Sequence, residues 1–357
     1  MADGGAVVVN GRFLTQRVTG VQRFAREILS ASGGAGLLRP ETGWIAVPDQ
    51  PDLPGMFAGL PLRRIGSRRG HPWEQFDLSR QAGDSLLVNL CGTGPALRRR
   101  QLVVMHDAAV SALPRNYTLA FRSWYRLLAR AYARFAERIC TVSAFSASEL
   151  QKYFGIPASR IEVIPESGEH IMRAEPDYGV HGRFGLGDGD YFLAVSSHAS
   201  NKNFRRVVEA AAKVSQSGFK FVIVGGRNAK VFQAVDMDVS QAAEVGYVSD
   251  AQLQALYRRA ACFVYPSTYE GFGLPPLEAM ACGCPVLVSR CAALPETCGD
   301  AAAYCDAYDS DDIARQLSRI LGSAQARAEL SAAGLARSGE WTWRRAGERF
   351  SEILAGT

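Results

Sequence analysis

Residues 262–289 read CFVYPSTYEGFGLPPLEAMACGCPVLVS, and this stretch decides the fold class. Its apolar segments Cys262–Tyr265 and Pro285–Val288 have the length and composition of buried strands. Between them, a glycine-containing turn leads into a helix predicted over Pro276–Ala281, because proline is tolerated in the first turn of a helix. Two buried strands joined through a helix form a parallel β-α-β unit.

Short apolar runs alternate with amphipathic stretches along the rest of the chain. The other predicted strands are Val7–Val9, Trp44–Val47, Ser85–Leu90, Leu102–Met105, Ile139–Val142, Ile161–Ile164, Tyr191–Val195, Phe219–Val224 and Ala243–Val245. The other predicted helices are Val21–Ala31, Asn116–Glu137, Ala147–Tyr153, Asn203–Ser215, Asp250–Ala260, Asp311–Leu321 and Ala324–Leu335. This alternation predicts an α/β protein with two doubly wound domains, each binding its ligand at the carboxyl ends of the strands. The link between the domains is predicted within Glu166–Asp190, which is rich in glycine and polar residues.

Composition narrows the class of protein. The chain has 357 residues, of which 47% are hydrophobic and 21% charged, enough for two domains with full cores. It contains no apolar run of the roughly 18 residues that a membrane span needs. Its first residues do not resemble a secretory signal, so we expect a cytoplasmic protein. The eight cysteines include no CxxC pair and no zinc-like spacing, which favours free thiols.

Positive charge is concentrated in the first half of the chain. Residues 1–180 carry 22 basic and 16 acidic side chains, whereas residues 181–357 carry 18 and 19. The asymmetry indicates an anionic partner such as a phospholipid surface, a polyphosphate or a nucleic acid. The alternative is a general preference for arginine, which supplies 35 of the 40 basic residues.

Two carboxylates flank the glycine turn of the opening stretch. Gly271 and Gly273 allow the backbone to approach a ligand closely, and the start of a helix binds anions. Glu270 precedes the turn, and Glu278 falls in the first turn of the predicted helix. Because a carboxylate can accept two hydrogen bonds from a vicinal diol, the pair suits a sugar nucleotide. The alternatives are a charge that complements the helix dipole for Glu278 and a solvated loop charge for Glu270.

Six segments together resemble retaining glycosyltransferase family 4, which has the GT-B fold. The stretch EGFGLPPLEAMACGCPV at 270–286 is similar to the family signature with its two glutamates. The other five segments are TGVQR at 19–23, VMHD at 104–107, TVSAFS at 141–146, KN at 202–203 and GYVSD at 246–250. The resemblance runs from about residue 7 to residue 350 in family-like order.

The resemblance implies two Rossmann-like domains facing across a cleft. Residues 1–170 would form the acceptor-side domain together with a C-terminal helix at 341–357, and residues 171–340 would bind the nucleotide sugar. The anomeric configuration would be retained, with no metal and no other cofactor. The expected partners are a nucleoside-diphosphate sugar and a saccharide or lipid-linked acceptor, and no nucleic acid.

The family's functional residues transfer onto matching positions of this chain. Glu278 would hold the ribose and Glu270 the transferred sugar, while Lys202 and loop amides would neutralise the diphosphate. Gly20 would let the N-terminal loop approach the donor phosphates, and His106 would face the reacting sugar, its alternative being a structural histidine at a strand end. The implied catalytic residues are His106, Glu270 and Lys202. The implied donor-binding residues are Gly20, Lys202, Val248, Glu270, Gly271, Phe272, Gly273, Leu274 and Glu278.

Residue chemistry favours one of two retaining mechanisms. In front-face attack the leaving phosphate accepts the acceptor proton, and fixed cations and amides stabilise the charge that develops. A double displacement through Glu270 is the alternative, which we disfavour because a carboxylate beside an anionic diphosphate is a poor site for a covalent intermediate.

Two segments depart from the family pattern. Ser196 stands where the family often has an arginine six positions before the lysine, so another basic side chain would compensate. The candidates are Arg205, Arg206 and His198. The usual PNGVD after the last N-domain strand reads PESGEH at 165–170, and we assign no site role to Glu166.

The predicted helix from Asn116 carries an arginine at every fourth position. The ladder is Arg122, Arg126, Arg130, Arg134 and Arg138, and the opposite face is Trp124, Leu127, Leu128, Ala131, Tyr132 and Phe135. Such a face suits peripheral contact with an anionic membrane, where lipid-linked acceptors reside. A core-packed helix with a solvated basic face is the alternative that we favour.

Other function classes fit less well. The D-x-D pairs Asp188/Asp190 and Asp236/Asp238 suggest a metal-dependent transferase of the GT-A fold, but such tripeptides arise often by chance. A dehydrogenase needs a GxGxxG fingerprint that is missing here. A sugar-nucleotide epimerase, a non-catalytic scaffold and an RNA-binding protein remain open, although no aromatic and basic RNA motif is present.

The whole pattern resembles bacterial enzymes that build exopolysaccharide or lipopolysaccharide. We therefore expect a hexosyltransferase that uses GDP-mannose, in the cytoplasm or peripherally on the cytoplasmic face of the inner membrane. Glucose, N-acetylglucosamine and rhamnose are the alternative donor sugars.

Overall fold

The computed structural model describes residues 6–33, 43–49, 60–196, 199–226 and 242–356. The chain divides into two compact units, Met1–Glu166 with Trp343–Thr357, and Ser167–Thr342. The second unit begins earlier than residue 171 because Ser167 and His170 hydrogen-bond within it, to the Trp341 carbonyl and to Glu278.

A parallel sheet forms the centre of the first unit. Its strands are β1 (Val7–Asn10), β2 (Gly43–Val47), β3 (Leu62–Arg64), β4 (Leu86–Asn89), β5 (Gln101–Val104), β6 (Arg138–Thr141) and β7 (Ile161–Val163). Among the described residues their order is β3-β2-β1-β4-β5-β6-β7, with every pairing parallel. The order of the strands reverses between β1 and β4: β2 and β3 lie on one side of this pair, and β5, β6 and β7 lie on the other. Doubly wound folds bind their ligands at such a point.

Helices cover both faces of this sheet. They are Gly20–Gly33, Gly70–Pro72, Ser79–Gln81, Ala109–Ala112, Leu119–Phe135, Ala144–Phe154 and Trp343–Ala355, with a π-helical segment at Trp73–Leu78 and 3₁₀ turns at Gly11–Thr15, Pro114–Asn116 and Ala158–Arg160. Leu128 and Tyr132 pack on Val103 and Ile139 of the sheet in one of the cores.

The C-terminal helix packs on the first helix of the same unit. A Cβ on Gly347 would lie 2.7 Å from the Cβ of Ala31, so only glycine permits this close approach. Trp343 meets Phe24 edge to face, with ring centroids 6.1 Å apart. The predicted return of the C-terminal helix to the first domain is therefore confirmed, although the helix begins at Trp343 rather than at residue 341.

The second unit repeats the architecture with a shorter sheet. Its strands are β8 (Tyr191–Ser196), β9 (Lys220–Gly225), β10 (Ala242–Gly246), β11 (Cys262–Tyr265), β12 (Val286–Ser289) and β13 (Ala303–Cys305). In the described part of the chain they run parallel in the order β10-β9-β8-β11-β12-β13. The helices are Gly179–Phe184, Phe204–Lys213, Asp250–Arg259, Leu274–Ala281, Leu294–Cys298, Ser310–Leu321 and Ala324–Glu340, with 3₁₀ turns at Glu169–Met172, Ser200–Lys202, Ser215–Ser217 and Gly299–Ala301.

The α/β class, the two parallel sheets and all eleven predicted strands are present in the structure. The strands β3 and β13 were not predicted, because each has only three residues and no continuous buried run. The short helices at 70–81, 179–184 and 294–298 were also missed, since segments of this length carry little periodicity. Among the described residues, we find no helix that is both long and apolar enough to cross a membrane.

Candidate active site

The predicted donor residues of the second unit follow the carboxyl ends of its strands. Lys202 ends the 3₁₀ turn after β8, and Val248 lies between β10 and the helix that begins at Asp250. Glu270 lies in the loop after β11, ahead of the helix that begins at Leu274. The parallel sheet therefore brings these loops to one edge, as the motif spacing predicted.

Lys202 and Glu270 form an ion pair at this edge. The Lys202 Nζ atom lies 2.8 Å from Oε1 and 2.9 Å from Oε2 of Glu270. The Lys202 side chain is 23% exposed and that of Glu270 only 11%. The carboxylate thus neutralises the one lysine predicted to bind phosphate.

Tyr265 completes this cluster, and sequence reasoning missed it. Its hydroxyl donates to Glu270 Oε1 at 2.9 Å and accepts a hydrogen bond from Lys202. Burial raises the pKa of the Tyr265 phenol well above its usual value, and the carboxylates of Glu270 and Glu278 raise it further. The phenol therefore stays protonated and acts as a donor to Glu270. Its position as the last residue of β11, at the ligand-binding edge, was the available signal.

Asn203 of the KN pair holds the loop in place. Its backbone is left-handed, with φ of 59°, a conformation that asparagine tolerates. Its buried side-chain amide donates to the carbonyls of Pro266 and Ala307, at 3.0 and 2.6 Å. These bonds tie the Lys202 turn to the loops after β11 and β13.

The glycine turn is tightly constrained by its neighbours. Gly273 has φ of 108°, and a Cβ there would lie 2.8 Å from Leu294 Cδ2. The Thr297 hydroxyl donates to the Phe272 carbonyl at 2.6 Å. The helix then begins at Leu274 and continues through Pro275 and Pro276, which carry no N–H, so Gly273 and Leu274 supply the N–H groups that have no partner within the helix.

Glu278 lies two residues further into this helix than predicted. The helix starts at Leu274 rather than Pro276, so Glu278 is outside its first turn and the expected first-turn position is wrong. The helix-dipole interpretation of Glu278 is weakened for the same reason, because the dipole acts mainly within the first turn. Glu278 Oε1 instead lies 2.9 Å from Nε2 of the buried His170.

The basic side chains expected to replace the missing arginine have other partners where they are described. Arg205 pairs with Glu209 at 2.9 Å, on the same helix. Arg206 donates to the Tyr308 carbonyl at 3.2 Å and stacks on its ring. The third candidate, His198, lies outside the described residues.

His106 and Gly20 belong to the first unit. His106 follows β5; its Nε2 donates to the Leu90 carbonyl at 2.9 Å, and its Nδ1 lies 3.5 Å from Glu166 Oε1. His106 also borders a cavity of about 150 Å³ beside Asp107. Gly20 starts its helix, and a Cβ there would meet no protein atom within 4 Å. The contact between His106 and Glu166 was not predicted, because the sequence assigned no site role to Glu166.

A buried polar network lies near the carboxyl ends of β1 and β4. Glu74 is fully buried and pairs with Arg12 at 2.7 Å and with His71 Nδ1 at 2.9 Å. The Thr93 hydroxyl and the Asn10 amide also donate to it, at 2.7 and 3.2 Å. Burial alone would raise the pKa of Glu74, but the His71 hydrogen bond, the Arg12 charge and the two neutral donors outweigh burial and lower it.

The arginine ladder is only partly a surface of one helix. The helix ends at Phe135, so Arg138 lies in β6, and its inclusion in the helical ladder is wrong. Arg130 and Arg134 are exposed, whereas Arg126 donates to Ser111. Leu127, placed on the core face by the sequence pattern, is 56% exposed.

The described residues contain no cluster of three or more His, Cys, Asp or Glu side chains that could hold a metal ion. Asp190 accepts two hydrogen bonds from the Gly187 amide, both at 3.0 Å, so it closes a turn. The other D-x-D pair, Asp236 and Asp238, lies outside the described residues.

Family comparisons match both halves of the chain. Residues 46–166 match the family described as Glycosyltransferase Family 4, and residues 183–337 match Glycosyl transferases group 1. O-antigen chain mannosyltransferase B of Escherichia coli is 31% identical over 70% of this chain and 68% of its own length. O-antigen chain mannosyltransferase RfbU of Salmonella typhimurium is 28% identical over 60% of this chain and 58% of its own length. Serotype-specific mannosyltransferase WbdA of E. coli is 29% identical over 62% of this chain but only 29% of its own length.

Solved structures share the fold. Sucrose-phosphate synthase from Thermosynechococcus elongatus superposes with a TM-score of 0.79 at 17% identity, covering 99% of this chain and 98% of its own. WaaG, a glycosyltransferase involved in lipopolysaccharide biosynthesis, superposes with a TM-score of 0.74 at 16% identity, covering 99% of this chain and 100% of its own. With the motifs, the parallel sheets and the family matches, this likeness leads to one conclusion: the chain is a glycosyltransferase of family 4 with the GT-B fold.

Proposed function

We propose that the protein transfers mannose from GDP-mannose to a saccharide or lipid-linked acceptor, with retention of configuration, in bacterial surface polysaccharide synthesis. The observation that carries the proposal is the Lys202–Glu270 ion pair, with Nζ 2.8 Å from the carboxylate. It combines a cation for a diphosphate with a carboxylate for sugar hydroxyls at the ligand-binding edge of one sheet.

Each group at this edge suits one part of the donor. The Lys202 ammonium and the backbone N–H groups of Gly273 and Leu274, at the start of the Leu274–Ala281 helix, suit the diphosphate. Glu278 suits the ribose diol, and we assign an apolar contact with the base to Val248, in the loop before the helix that begins at Asp250. The backbone of residues 271–274 lines the phosphates, and Glu270 accepts hydrogen bonds from the sugar.

The reaction is a front-face substitution. The bond between the anomeric carbon and the diphosphate oxygen breaks while the acceptor oxygen forms its bond on the same face. The acceptor proton passes to the leaving phosphate oxygen, so no protein nucleophile is used. Lys202 stabilises the charge that develops on the diphosphate, and no metal ion is required. His106 and Gly20 are proposed as the first unit's contribution to acceptor and donor contacts.

The names of the similar proteins support mannose as the donor sugar. The three relatives compared above are mannosyltransferases, and two of them act on O-antigen chains by their names. Glucose, N-acetylglucosamine and rhamnose are the alternative donor sugars to test. A non-catalytic GT-B scaffold is the alternative from another class.

A donor panel tests the proposal. The purified protein is incubated with GDP-mannose, UDP-glucose, UDP-N-acetylglucosamine and dTDP-rhamnose, in excess EDTA, and nucleotide release and thermal shift are measured. We expect GDP-mannose to be hydrolysed fastest, with Lys202→Ala and Glu270→Ala nearly inactive. Preference for another donor refutes GDP-mannose, loss of activity in EDTA refutes the metal-free mechanism, and no binding of any nucleotide favours the scaffold.

We also propose that the Leu119–Phe135 helix contacts an anionic membrane from the cytoplasmic side. One face of this helix exposes Leu119 and Leu127, at 70% and 56%, together with the exposed Arg130 and Arg134. Apolar side chains next to arginines are typical of helices that lie on a lipid surface. A lipid-linked acceptor would then be presented to the first unit.

A further inference from the structure

His170 has its two ring nitrogens directed at oxygen atoms of its own unit. Nε2 lies 2.9 Å from Glu278 Oε1, and Nδ1 lies 3.1 Å from the Ser167 carbonyl. The side chain is 1% exposed, so water does not compete for either nitrogen. This segment is also where the sequence departs from the PNGVD pattern of the family.

Both partners of the ring are acceptors. A carbonyl oxygen only accepts, and an ionised carboxylate only accepts. The Nε2–H group of His170 therefore donates to the Glu278 carboxylate, and Nδ1 faces the Ser167 carbonyl.

The turn that carries His170 is packed tightly on the helix that carries Glu278. A Cβ on Gly168 would lie 2.5 Å from the Leu277 carbonyl oxygen, so only glycine allows this approach. The turn also packs on the Asp250–Arg259 helix, where the Arg258 guanidinium reaches Met172 Sδ at 3.9 Å. The separation of His170 and Glu278 is therefore set by backbone packing.

Two titratable groups beside Glu278 carry no charge, whereas the nearby Arg258 guanidinium is a cation. Burial raises the pKa of the Tyr257 phenol well above its usual value and that of the Cys282 thiol to about 12, in both cases with Glu278 contributing. Both groups are neutral at physiological pH. Glu169, on the same turn as His170, is a carboxylate and does not neutralise Glu278.

We propose that His170 is a positioning residue for the donor nucleotide: its Nε2–H group donates to Glu278 Oε1 and fixes that oxygen, so that the carboxylate is oriented to accept the two ribose hydroxyls. The inference rests on the proposed function, in which Glu278 binds the ribose. His170 itself does not touch the nucleotide.

Two isosteric variants separate this role from a structural one. The amide nitrogen of glutamine occupies the position of Nε2, so His170→Gln keeps a donor to Glu278. That of asparagine occupies the position of Nδ1, so His170→Asn keeps the bond to Ser167 and loses the bond to Glu278. GDP and 2′,3′-dideoxy-GDP are titrated calorimetrically into the full-length wild type, both variants and Glu278→Gln.

We expect the wild type to prefer GDP over the dideoxy nucleotide by at least about tenfold, the effect of a hydrogen bond to a charged group. His170→Asn should lose most of this preference, as Glu278→Gln does, while His170→Gln retains it and all variants bind dideoxy-GDP alike. If Glu278→Gln abolishes the preference but His170→Asn does not, the role of His170 is refuted. If both histidine variants lose the preference for GDP equally, or if they bind dideoxy-GDP more weakly than the wild type does, the role of His170 is merely structural.

Failure of the proposed function gives a different result. A wild type that binds both nucleotides equally, or neither, refutes the ribose role of Glu278, and with it this inference. A ¹⁵N-histidine spectrum of the wild type at neutral pH provides the second readout. We expect a proton on Nε2 of His170, and an unprotonated Nε2 overturns its role as the donor to Glu278.

Discussion

The ammonium of Lys202 lies within 2.9 Å of both carboxylate oxygens of Glu270, and the Tyr265 hydroxyl bridges the same two side chains. The two groups with the most direct predicted roles in donor binding thus neutralise each other. A diphosphate that binds Lys202 must compete with Glu270 for the ammonium protons, and the released carboxylate is then available to the sugar.

Replacement of Glu270 should therefore separate nucleotide binding from catalysis. In Glu270→Gln the ammonium loses its competitor, so we expect calorimetry to show GDP binding at least as tightly as in the wild type. Transfer should fall about 100-fold, the effect of one lost contact to a reacting group. A variant that binds GDP tenfold more weakly contradicts this interpretation.

Replacement of Lys202 should have the opposite signature. We expect Lys202→Ala to weaken GDP binding by about tenfold or more, because it removes a charged hydrogen bond to the diphosphate. Binding of GMP should change much less. Lys213→Ala is the matched control, since Lys213 also pairs with a carboxylate, Asp311 at 2.6 Å, but lies on the surface. An equal loss for GDP and GMP argues against a diphosphate contact.

Two glycines should respond differently to alanine. Gly273→Ala introduces a methyl group 2.8 Å from Leu294 at a φ of 108°, so we expect a lower melting temperature and loss of activity together. Gly20→Ala meets no protein atom within 4 Å, so stability should be unchanged. If Gly20 makes room for ligand, activity alone falls. If Gly20→Ala remains fully active, Gly20 is not part of the ligand site.

The buried Glu74 predicts a pH-dependent contribution to stability. Its pKa in the folded state is below the ordinary value of 4.5, so the contribution is present above that pH and is lost as the pH falls through the folded-state pKa. We expect Glu74→Gln to lower the free energy of unfolding by about 2 kcal/mol at pH 7, as for a lost partner of a buried charged group. In urea titrations, the difference in unfolding free energy between the wild type and Glu74→Gln should shrink as the pH falls. The control is Glu137→Gln, because Glu137 is exposed. A difference that is constant with pH contradicts the assignment.

Membrane contact predicts a charge-dependent interaction with lipid. We expect the protein to float with phosphatidylcholine vesicles only when they contain phosphatidylglycerol, and less so at high salt. Arg130→Glu with Arg134→Glu should weaken this binding at least about 30-fold, because the loss of each arginine near the surface costs about 1 kcal/mol and the new carboxylates are repelled. The control is the same charge reversal, from arginine to glutamate, at the exposed Arg315 and Arg319. Binding that ignores lipid charge refutes the proposal.

Local sequence determined the class of fold and most of its elements. Strands buried on both faces must be continuously apolar, as in β11 and β12, so their positions are readable from the sequence alone. The glycines and prolines after β11 likewise marked the turn and the helix start. The prediction failed where elements are too short to carry a pattern, as in β3, and where the helix began before its second proline.

Only the tertiary structure decided which side chains meet. His170 and Glu278 are 108 positions apart, and Lys202 and Glu270 are 68 apart. No local periodicity encodes such a contact, because it depends on the order of strands in a sheet and on a backbone approach that Gly168 permits. Residue types along the chain therefore set what each segment can form, while packing between distant segments sets the partner and charge of each functional side chain.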